Sequence, residues 1–313
     1  MKKDSKMLIL GSSGLLGSAI NRVLIRQGFE NILTPAHGEL NILEKKEIDS
    51  YLEKNKPEYI FMAAGLVGGI EANREKPADF LYQNSMMILN LLESVKNEIP
   101  NSKILYPGST CIYPRENPQP ISEERFLSGK LEETNKGYAI AKIMGITACQ
   151  KYNQQYGLET LCVQPTNLYG PNDNYNLETG HMIPSLIKKI LLAKKNDEKI
   201  KLWGTGTPRR EALYSEDCAD AIVYLMENYN SSDIINIGTG FDYSIKEFAG
   251  IIQRELGDDN PIEWDLSKPD GTFEKRTDIQ KLKQIYPEYN PRSFREGLKD
   301  LFSNEKEIKR IFG

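Results

Sequence analysis

The sequence is poor in the residues that usually bind transition metals. It contains two histidines, and its four cysteines (Cys111, Cys149, Cys162 and Cys218) lie far apart, without a CxxC pair. A zinc site therefore has almost no candidate ligands, and metal-dependent catalysis is disfavoured. Isolated cysteines in a reducing compartment are usually small, buried hydrophobic residues, which is our interpretation of Cys149, Cys162 and Cys218.

Long apolar runs and an excess of positive charge are also missing. No run approaches the roughly 20 residues that span a bilayer, and the N-terminal MKKDSKMLILGSS shows no signal-peptide cleavage pattern. The 40 basic and 44 acidic residues are mixed along the chain, so no cationic stripe is available for nucleic-acid phosphates. We therefore expect a cytoplasmic protein that binds neither membranes nor nucleic acids.

Short apolar runs alternate with amphipathic segments through the first half of the chain. They lie at Met7–Leu10, Ser18–Gln27, Tyr59–Ala64, Phe80–Val95, Lys103–Tyr106 and Ala139–Tyr156. This order is typical of βαβ units on a parallel sheet. A further strand at Glu159–Gln164 ends at Pro165, and the Asn-, Gly- and Pro-rich stretch that follows indicates the crossing into a smaller lobe.

The second half of the chain returns to the sheet. It predicts a helix at Ala219–Glu227, a strand at Ile234–Ile237, a helix that begins at Ser244 with Glu247 in capping-box spacing, and a last helix near Phe294–Phe302. The sequence therefore predicts an α/β fold, a Rossmann-type doubly wound parallel sheet with a smaller, discontinuous α/β lobe. The larger domain would comprise residues 1–166 and about 212–240, and the lobe residues 167–211 and 241–313.

Three glycines follow the first predicted strand with the spacing GxxGxxG. Gly11, Gly14 and Gly17 lie between that strand and a predicted helix. Glycine lets the backbone turn sharply and approach a pyrophosphate, and the helix N-terminus behind it offers free amides and a partial positive charge. The pattern predicts a dinucleotide-binding site, although a plain tight turn can also contain such glycines.

The choice of nicotinamide cofactor depends on the end of the second strand. An acidic residue there would hold the ribose diol of NAD, and residues 31–38 include no acid. They include no arginine either, while Ser12 and Ser13 stand where a residue could contact a 2'-phosphate. The sequence favours NADP(H) without excluding NAD(H).

Tyr138 and Lys142 form a YxxxK pair at the start of an apolar-faced helix. Four residues apart, they lie on one face about one turn from each other. A neighbouring ammonium favours the phenolate of a tyrosine, which brings its proton within reach of transfer. Ser109 directly follows the strand at Lys103–Tyr106, at the carboxyl edge of the sheet, where its hydroxyl can donate to a carbonyl oxygen. We predict that these three residues are catalytic.

Together these residues resemble the extended short-chain dehydrogenase/reductase family, and within it the GDP-L-fucose synthases. The resemblance covers nearly the whole chain. The segments that carry it are GSSGLLGSAI, AAGLVGGI, PADFLYQN, GSTCIYP, YAIAKIMGI, QPTNLYGPNDN, GHMIPSLI, WGTGTPRRE and SKPDGT.

The resemblance implies a substrate, a reaction and further site residues. The substrate would be a GDP-linked 4-keto-6-deoxy sugar, epimerised at C3 and C5 and reduced at C4 by NADPH, with Cys111 and His181 in the acid-base roles. Lys142 would also hold the nicotinamide ribose. Cofactor contacts would come from Gly11, Ser13, Gly14, Leu15, Leu16, Gly17, Ala63, Ala64, Tyr138, Lys142, Pro165, Asn167, Leu168 and His181. The nucleotide-sugar would contact Asn167, Lys189, Trp203, Arg210 and Lys275.

Several positions depart from the family pattern. Leu66 replaces a lysine, Ala212 replaces a bulky aromatic residue, and residues 176–180 differ before His181. These changes suggest space beside the sugar, so one alternative is a C4 reductase without full epimerase activity on a larger substrate such as a GDP-4-keto heptose.

Two other classes remain as alternatives. One is a non-catalytic dinucleotide-binding sensor, which the intact Ser109, Tyr138 and Lys142 disfavour. The other is a 4,6-dehydratase, whose chemistry needs an acidic pair where Cys111 and Ile112 follow Thr110. The resemblance also implies a homodimer through helices at Asn84–Lys96 and Tyr138–Tyr156.

Overall fold

A computed structural model describes residues 1–268 and 270–312, with the side chain of residue 70 left undescribed. Position 269, inside the SKPDGT motif, and position 313, the last residue of the predicted lobe, lie outside the described residues. Strands and helices follow in the order β1 (Met7–Leu10), α1 (Leu15–Arg26), β2 (Ile32–Leu33), α2 (Lys45–Asn55), β3 (Tyr59–Met62), α3 (Ile70–Glu75), α4 (Pro77–Glu98), β4 (Lys103–Pro107), α5 (Lys136–Tyr156), β5 (Thr160–Pro165), β6 (Asn167–Tyr169), α6 (Met182–Asn196), β7 (Ile200–Trp203), β8 (Arg209–Arg210), β9 (Ala212–Tyr214), α7 (Ser215–Asn228), β10 (Ile235–Ile237), β11 (Tyr243–Ser244), α8 (Ile245–Leu256), β12 (Ile262–Asp265), β13 (Glu274–Lys275), α9 (Gln280–Ile285), α10 (Phe294–Ser303) and α11 (Glu305–Phe312).

The central sheet is parallel and has six strands in the order β10-β5-β4-β3-β1-β2. This is the doubly wound α/β sheet that the sequence predicts, including the late return of β10 to its edge. All four residues of β1 are buried, because helices cover both faces of the sheet. Met7 and Ile9 pack on one side in a core shared with α1 and α7, while Leu8 and Leu10 pack on the other with α2, α4 and α5.

The chain leaves the sheet after β5 and builds a second lobe. There β8 pairs with β11 and β13, and β7 pairs with β12. Helices α6, α8, α10 and α11 enclose a separate apolar core that includes Ile187, Phe248 and Leu298. The capping box at Ser244 and Glu247 is present at the start of α8, as predicted. The limits given above for the two domains stay a prediction.

The structure also shows where the cysteines lie and whether the described residues could form a metal site or a membrane-spanning helix. Cys149, Cys162 and Cys218 are buried free thiols, as predicted, whereas Cys111 is partly exposed. Across residues 1–268 and 270–312, no group of three His, Cys, Asp or Glu side chains could hold a metal ion. Within the same ranges, no helix combines the length and apolar character needed to cross a bilayer.

Candidate active site

The candidate cofactor residues lie at the carboxyl ends of neighbouring strands. Gly11 turns the chain after β1 with φ 83°, and an added Cβ there would lie 2.6 Å from the backbone nitrogen of Ala64, just beyond β3. At Gly17 an added Cβ would lie 2.1 Å from the carbonyl oxygen of Gly11. Both positions therefore require glycine, and the turn brings the N-terminus of α1 to the sheet edge. The other cofactor candidates lie on or beside this edge: Ser13, Gly14, Leu15, Leu16, Ala63, Pro165, Asn167 and Leu168.

Ser109 and Cys111 follow β4 at the same edge. Gly108 lets the chain pass against the buried Gln164, whose Oε1 accepts a hydrogen bond from the Ser109 backbone N–H at 3.0 Å. The Ser109 hydroxyl then lies 3.2 Å from Cys111 Sγ, to which it donates. The serine and the thiol are therefore held as one unit at the end of the strand.

Lys142 lies under this unit. Its Nζ donates to the carbonyl oxygen of Pro107 at 2.9 Å and lies 4.9 Å from the centre of the Tyr106 ring. Helix α5 comes this close because Gly145 faces Tyr106, where an added Cβ would lie 2.3 Å from the phenol oxygen. Burial lowers the pKa of Lys142 to about 8, and the nearby thiols of Cys111 and Cys149 partly oppose that change.

Tyr138 lies one turn before Lys142, but its phenol is not activated as the sequence suggested. The ammonium is 5.7 Å from the centre of the Tyr138 ring and is bonded to Pro107 instead. Burial raises the pKa of Tyr138, the charge of Cys111 adds to this, and a hydrogen bond with Ser109 opposes it. The expectation that Lys142 lowers this pKa is therefore wrong, because desolvation dominates. The phenol keeps its proton and is available as an acid.

His181 stands at the N-terminus of α6, behind the segment that departs from the family pattern. The loop after β3 meets this segment, with the Gly69 N–H donating to the carbonyl of Thr179 at 3.0 Å. The imidazole is accessible to solvent, yet enough protein surrounds it for burial to lower its pKa. It is therefore neutral at neutral pH.

The predicted nucleotide-sugar residues come from several elements of the second lobe. Lys189 Nζ lies 4.9 Å from the centre of the Trp203 ring, and Trp203 is 59% exposed. Asn167 donates through Nδ2 to the carbonyl oxygen of Glu211 at 2.8 Å. Burial lowers the pKa of Lys189, Arg210 and Lys275, because the surrounding protein displaces water from the three cations. Lys275 is close enough to Cys111 for the two charges to interact, which joins the lobe to the catalytic edge.

Two positions that depart from the family pattern have different surroundings. The Leu66 backbone N–H and C=O both bond the Asn84 side chain, each at 3.0 Å, so α4 fixes the loop that contains it. Ala212 is buried in the core of the second lobe at 6% exposure. The small side chain at 212 therefore lies in packed protein and does not by itself open space for a larger sugar.

Sequence reasoning missed two polar residues of this region, Asn135 and Glu211. Asn135 Nδ2 donates to Cys111 Sγ at 3.3 Å. Glu211 is fully buried beside Arg210, and its carboxylate accepts hydrogen bonds from Thr239, Gly240 and Thr277. An asparagine just before a helix reads as an ordinary cap, and a glutamate beside arginine reads as a surface ion pair. Nothing in the local sequence distinguishes them.

Comparisons with known proteins agree with this arrangement. The chain is 42% identical to GDP-L-fucose synthase 1 of Arabidopsis thaliana over 302 residues, 96% of this chain and 93% of that protein. It is 45% identical to GDP-L-fucose synthase of Sinorhizobium fredii over 282 residues, 89% of each. Among solved structures, a GDP-L-fucose synthetase from Naegleria fowleri bound to NADP superposes with a TM-score of 0.91 at 27% identity, covering 97% of this chain and 93% of that one.

MlghC, the GDP-mannoheptose C4 reductase from Campylobacter jejuni with NADP bound, superposes with a TM-score of 0.88 at 30% identity, covering 97% of this chain and 98% of that one. The family model described as the NAD dependent epimerase/dehydratase family matches residues 7–238, which contain the glycine turn, Ser109, Tyr138 and Lys142. This match covers most of the chain and agrees with the sheet, the glycine turn and the side chains described above. The chain therefore belongs to the NAD dependent epimerase/dehydratase family.

Proposed function

We propose that this protein reduces the C4 carbonyl of a GDP-linked 4-keto-6-deoxy sugar with NADPH and epimerises the sugar at C3 and C5. The observation that carries the proposal is the meeting of Ser109, Cys111 and Tyr138 where β4 ends, on the sheet edge that also holds the glycine turn. The names of the curated relatives, which are GDP-L-fucose synthases, support the same substrate and reaction.

The residues at the sheet edge fit a dinucleotide. A Cβ on Gly11 would clash with the backbone of Ala64, and a Cβ on Gly17 would clash with the backbone of Gly11, so only glycine allows the tight turn that places the N-terminus of α1 at the sheet edge. The first acid after β2 is Glu39, whose Oε2 accepts a hydrogen bond from the Ala36 N–H at 2.8 Å and is thus committed to its own loop. A ribose diol would find no carboxylate within residues 31–38, which favours NADP(H). When bound, NADPH supplies the hydride.

The reduction needs a proton donor and a group that polarises the ketone. Tyr138 holds its proton because burial raises the pKa of the phenol, so it can protonate the developing C4 oxygen. The Ser109 hydroxyl interacts with both Cys111 and the Tyr138 phenol, which supports a role for Ser109 as a donor to the same C4 oxygen. Lys142 donates a hydrogen bond to the Pro107 carbonyl oxygen at the end of β4, and its ammonium can also hold the nicotinamide ribose.

Epimerisation needs a base and an acid beside the ketone. A carbonyl at C4 acidifies the C–H bonds of both neighbouring carbons, and Ser109 and Tyr138 can hold the resulting enolate oxygen. Cys111 is placed to take or return such a proton, and the neutral imidazole of His181 supplies the second group. The nucleotide would lie against the exposed Trp203 and the cations Lys189 and Arg210.

The proposal is tested by giving the purified protein NADPH and a GDP-4-keto-6-deoxy sugar in deuterated water. We expect NADPH oxidation, a product reduced at C4, and solvent deuterium at C3 and C5. Tyr138→Phe should lower the reduction rate by about 10²- to 10⁴-fold, the usual contribution of a general acid. Tyr156→Phe, at the exposed end of the same helix, serves as the matched control. Full activity of Tyr138→Phe would contradict the proposed role.

A second candidate is a C4 reductase that acts on a larger GDP-4-keto sugar such as a heptose. The similarity to the C4 reductase MlghC favours it. The same assay separates the two, because NADPH oxidation without deuterium at C3 or C5 identifies a pure reductase. Dinucleotide binding without turnover of either sugar would identify a sensor.

We also propose that the protein is a homodimer that pairs through α4 and α5. The two helices expose Leu81, Tyr82 and Ile140, which are 39%, 64% and 40% accessible. Apolar side chains on adjoining helices are the usual core of such an interface. Light scattering should show twice the chain mass, and Tyr82→Asp should shift the protein towards the monomer. A wild-type monomer at assay concentration would refute this.

A further inference from the structure

Asn135 occupies a position where its side chain would normally cap a helix. It is the N-cap residue of α5, and asparagine is among the strongest N-cap residues because its side chain accepts a hydrogen bond from the first turn. Here the side chain makes no such bond. Its Nδ2 donates instead to Cys111 Sγ at 3.3 Å, across 24 residues of sequence. The side chain is therefore directed to the sulfur rather than to its own helix.

Ser109 is the other donor to this sulfur, at 3.2 Å. A hydroxyl has one proton to donate. When Ser109 donates it to the oxygen at C4 of a bound sugar, it no longer donates to Cys111. Asn135 is then the hydrogen-bond donor that the sulfur keeps during turnover.

We infer that Asn135 is a positioning residue that holds the Cys111 thiolate for proton exchange at the carbon next to the C4 carbonyl. The inference rests on the proposed function. In the step, the thiolate takes the proton, the C–H electron pair forms the enolate, and the resulting thiol or the opposite acid returns a proton to carbon. The amide N–H donates to the charged sulfur, stabilises it and fixes the direction of its lone pair.

Asn135 has a second polar atom that the folded protein leaves without a partner. Its Oδ1 is buried and accepts no hydrogen bond from the residues that the structure describes. Buried carbonyl oxygens are rarely left in this state. A sugar hydroxyl bound beside Cys111 would supply the missing donor, and Asn135 would then align the ring and the sulfur together.

The test measures two rates in one reaction, deuterium incorporation and NADPH oxidation. Asn135→Ala should lower the ratio of incorporation to oxidation by roughly 10- to 100-fold, which corresponds to one lost hydrogen bond to a charged group. Asn135→Ser is the matched variant, since serine caps helices as well as asparagine but is shorter. If Asn135 serves only as a cap, serine restores the ratio. If it holds the sulfur, the ratio stays low.

A second measurement needs no substrate. Alkylation of Cys111 by iodoacetamide reports its thiolate, because the other three cysteines are buried, and Cys111→Ser gives the background. Tyr138, Lys142 and Lys275 are the titratable groups that interact with Cys111, and Lys275 in turn interacts with Arg210 and Glu132. Asn135→Ala removes none of them. At one fixed pH, Asn135→Ala should be alkylated more slowly than the wild type, and Asn135→Asp more slowly still, because a carboxylate beside the sulfur disfavours the thiolate.

The outcomes separate the inference from the proposed function. An unchanged ratio of incorporation to oxidation and an unchanged alkylation rate in Asn135→Ala overturn the inference while wild-type turnover stands. NADPH oxidation without deuterium incorporation in the wild type also overturns it, since Cys111 then exchanges no proton. Absence of NADPH oxidation with GDP-keto sugars overturns the proposed function and the inference with it.

Discussion

Replacing Glu211 with glutamine should destabilise the protein strongly, although the change keeps the size and shape of the side chain. Glu211 is fully buried. Its Oε1 accepts hydrogen bonds from the backbone N–H groups of Thr239 at 2.6 Å and Gly240 at 2.7 Å. Its Oε2 accepts from the backbone N–H and the hydroxyl of Thr277, at 2.8 and 2.7 Å. One carboxylate therefore joins β8 and β9 to the loop after β10 and to the chain after β13.

The loss of stability in Glu211→Gln can be worked out from the hydrogen-bond donors that would lose their acceptor. Its amide keeps one oxygen, so either the pair at Thr239 and Gly240 or the pair at Thr277 loses its acceptor. Each hydrogen bond to a charged group contributes about 1.5–3 kcal/mol. Removing a buried charge returns part of this. We expect the free energy of unfolding to fall by about 3 kcal/mol, and the melting temperature to fall by about 5 to 10 °C.

Thermal unfolding followed by circular dichroism, together with urea titration, measures this change. Glu53→Gln, an exposed carboxylate on α2, is the control and should melt like the wild type. The neighbour of Glu211 in the chain is Arg210, which is predicted to contact the nucleotide-sugar and not the cofactor. Loss of the carboxylate should therefore raise the KM for the GDP-sugar more than the Kd for NADPH. A Glu211→Gln melting temperature within about 2 °C of the wild type would refute the reasoning.

Three further changes have opposite or separable effects. Lys142→Met should abolish turnover yet stabilise the protein, measured without ligands, by about 2 kcal/mol at pH 7. Lowering the pKa of Lys142 from 10.5 to about 8 costs about 3 kcal/mol of folding free energy, and the loss of the hydrogen bond to Pro107 offsets part of the gain. Between pH 8 and 10.5, Lys142 is protonated in the unfolded chain but largely deprotonated in the folded protein. The free energy of unfolding of the wild type should therefore rise with pH in this range relative to Lys142→Met, and urea titrations at several pH values measure this change. Gly17→Ala should remove NADPH binding, measured by calorimetry, since its Cβ would lie 2.1 Å from the Gly11 carbonyl oxygen. Trp203→Ala should weaken GDP binding by about tenfold, because it removes stacking of about 1.5 kcal/mol. The melting temperature should not change, since the ring is largely exposed. An unaltered GDP affinity would show that the guanine base does not stack on Trp203.

The sequence predicted the central sheet well because its strands are short apolar runs separated by helices with one apolar face. It gave no bounds for β2, which has only two residues, and it missed α2, which buries only Ile48 and Leu52. It also started α1 at Ser18, whereas the helix begins at Leu15, since the residues after Gly14 look like part of the glycine turn. Helix α6 escaped notice because the Asn- and Gly-rich stretch before His181 hid where regular structure resumes.

The candidate site was predictable where residue types and spacing carry the chemistry, as in the YxxxK pair and the serine after a strand. Contacts made across the fold were not. The bond between Asn135 and Cys111, and the bonds between Glu211 and Thr277, join residues whose separation in sequence contains no periodic signal. The pKa of Tyr138 was predicted in the wrong direction, because helical spacing shows that Lys142 is near but not that burial outweighs its charge.

The contact between Gly145 and Tyr106 bears on how the substrate selectivity of the enzyme could be changed. A methyl group added at Gly145 would clash with the Tyr106 ring, so α5 packs closely against β4, and this contact helps to fix the positions of Tyr138 and Lys142, the proposed catalytic residues. Changes in sugar selectivity should therefore be sought in the smaller lobe, around the proposed sugar contacts Trp203 and Arg210. Libraries for altered selectivity should diversify that part of the lobe and leave the α5 face untouched.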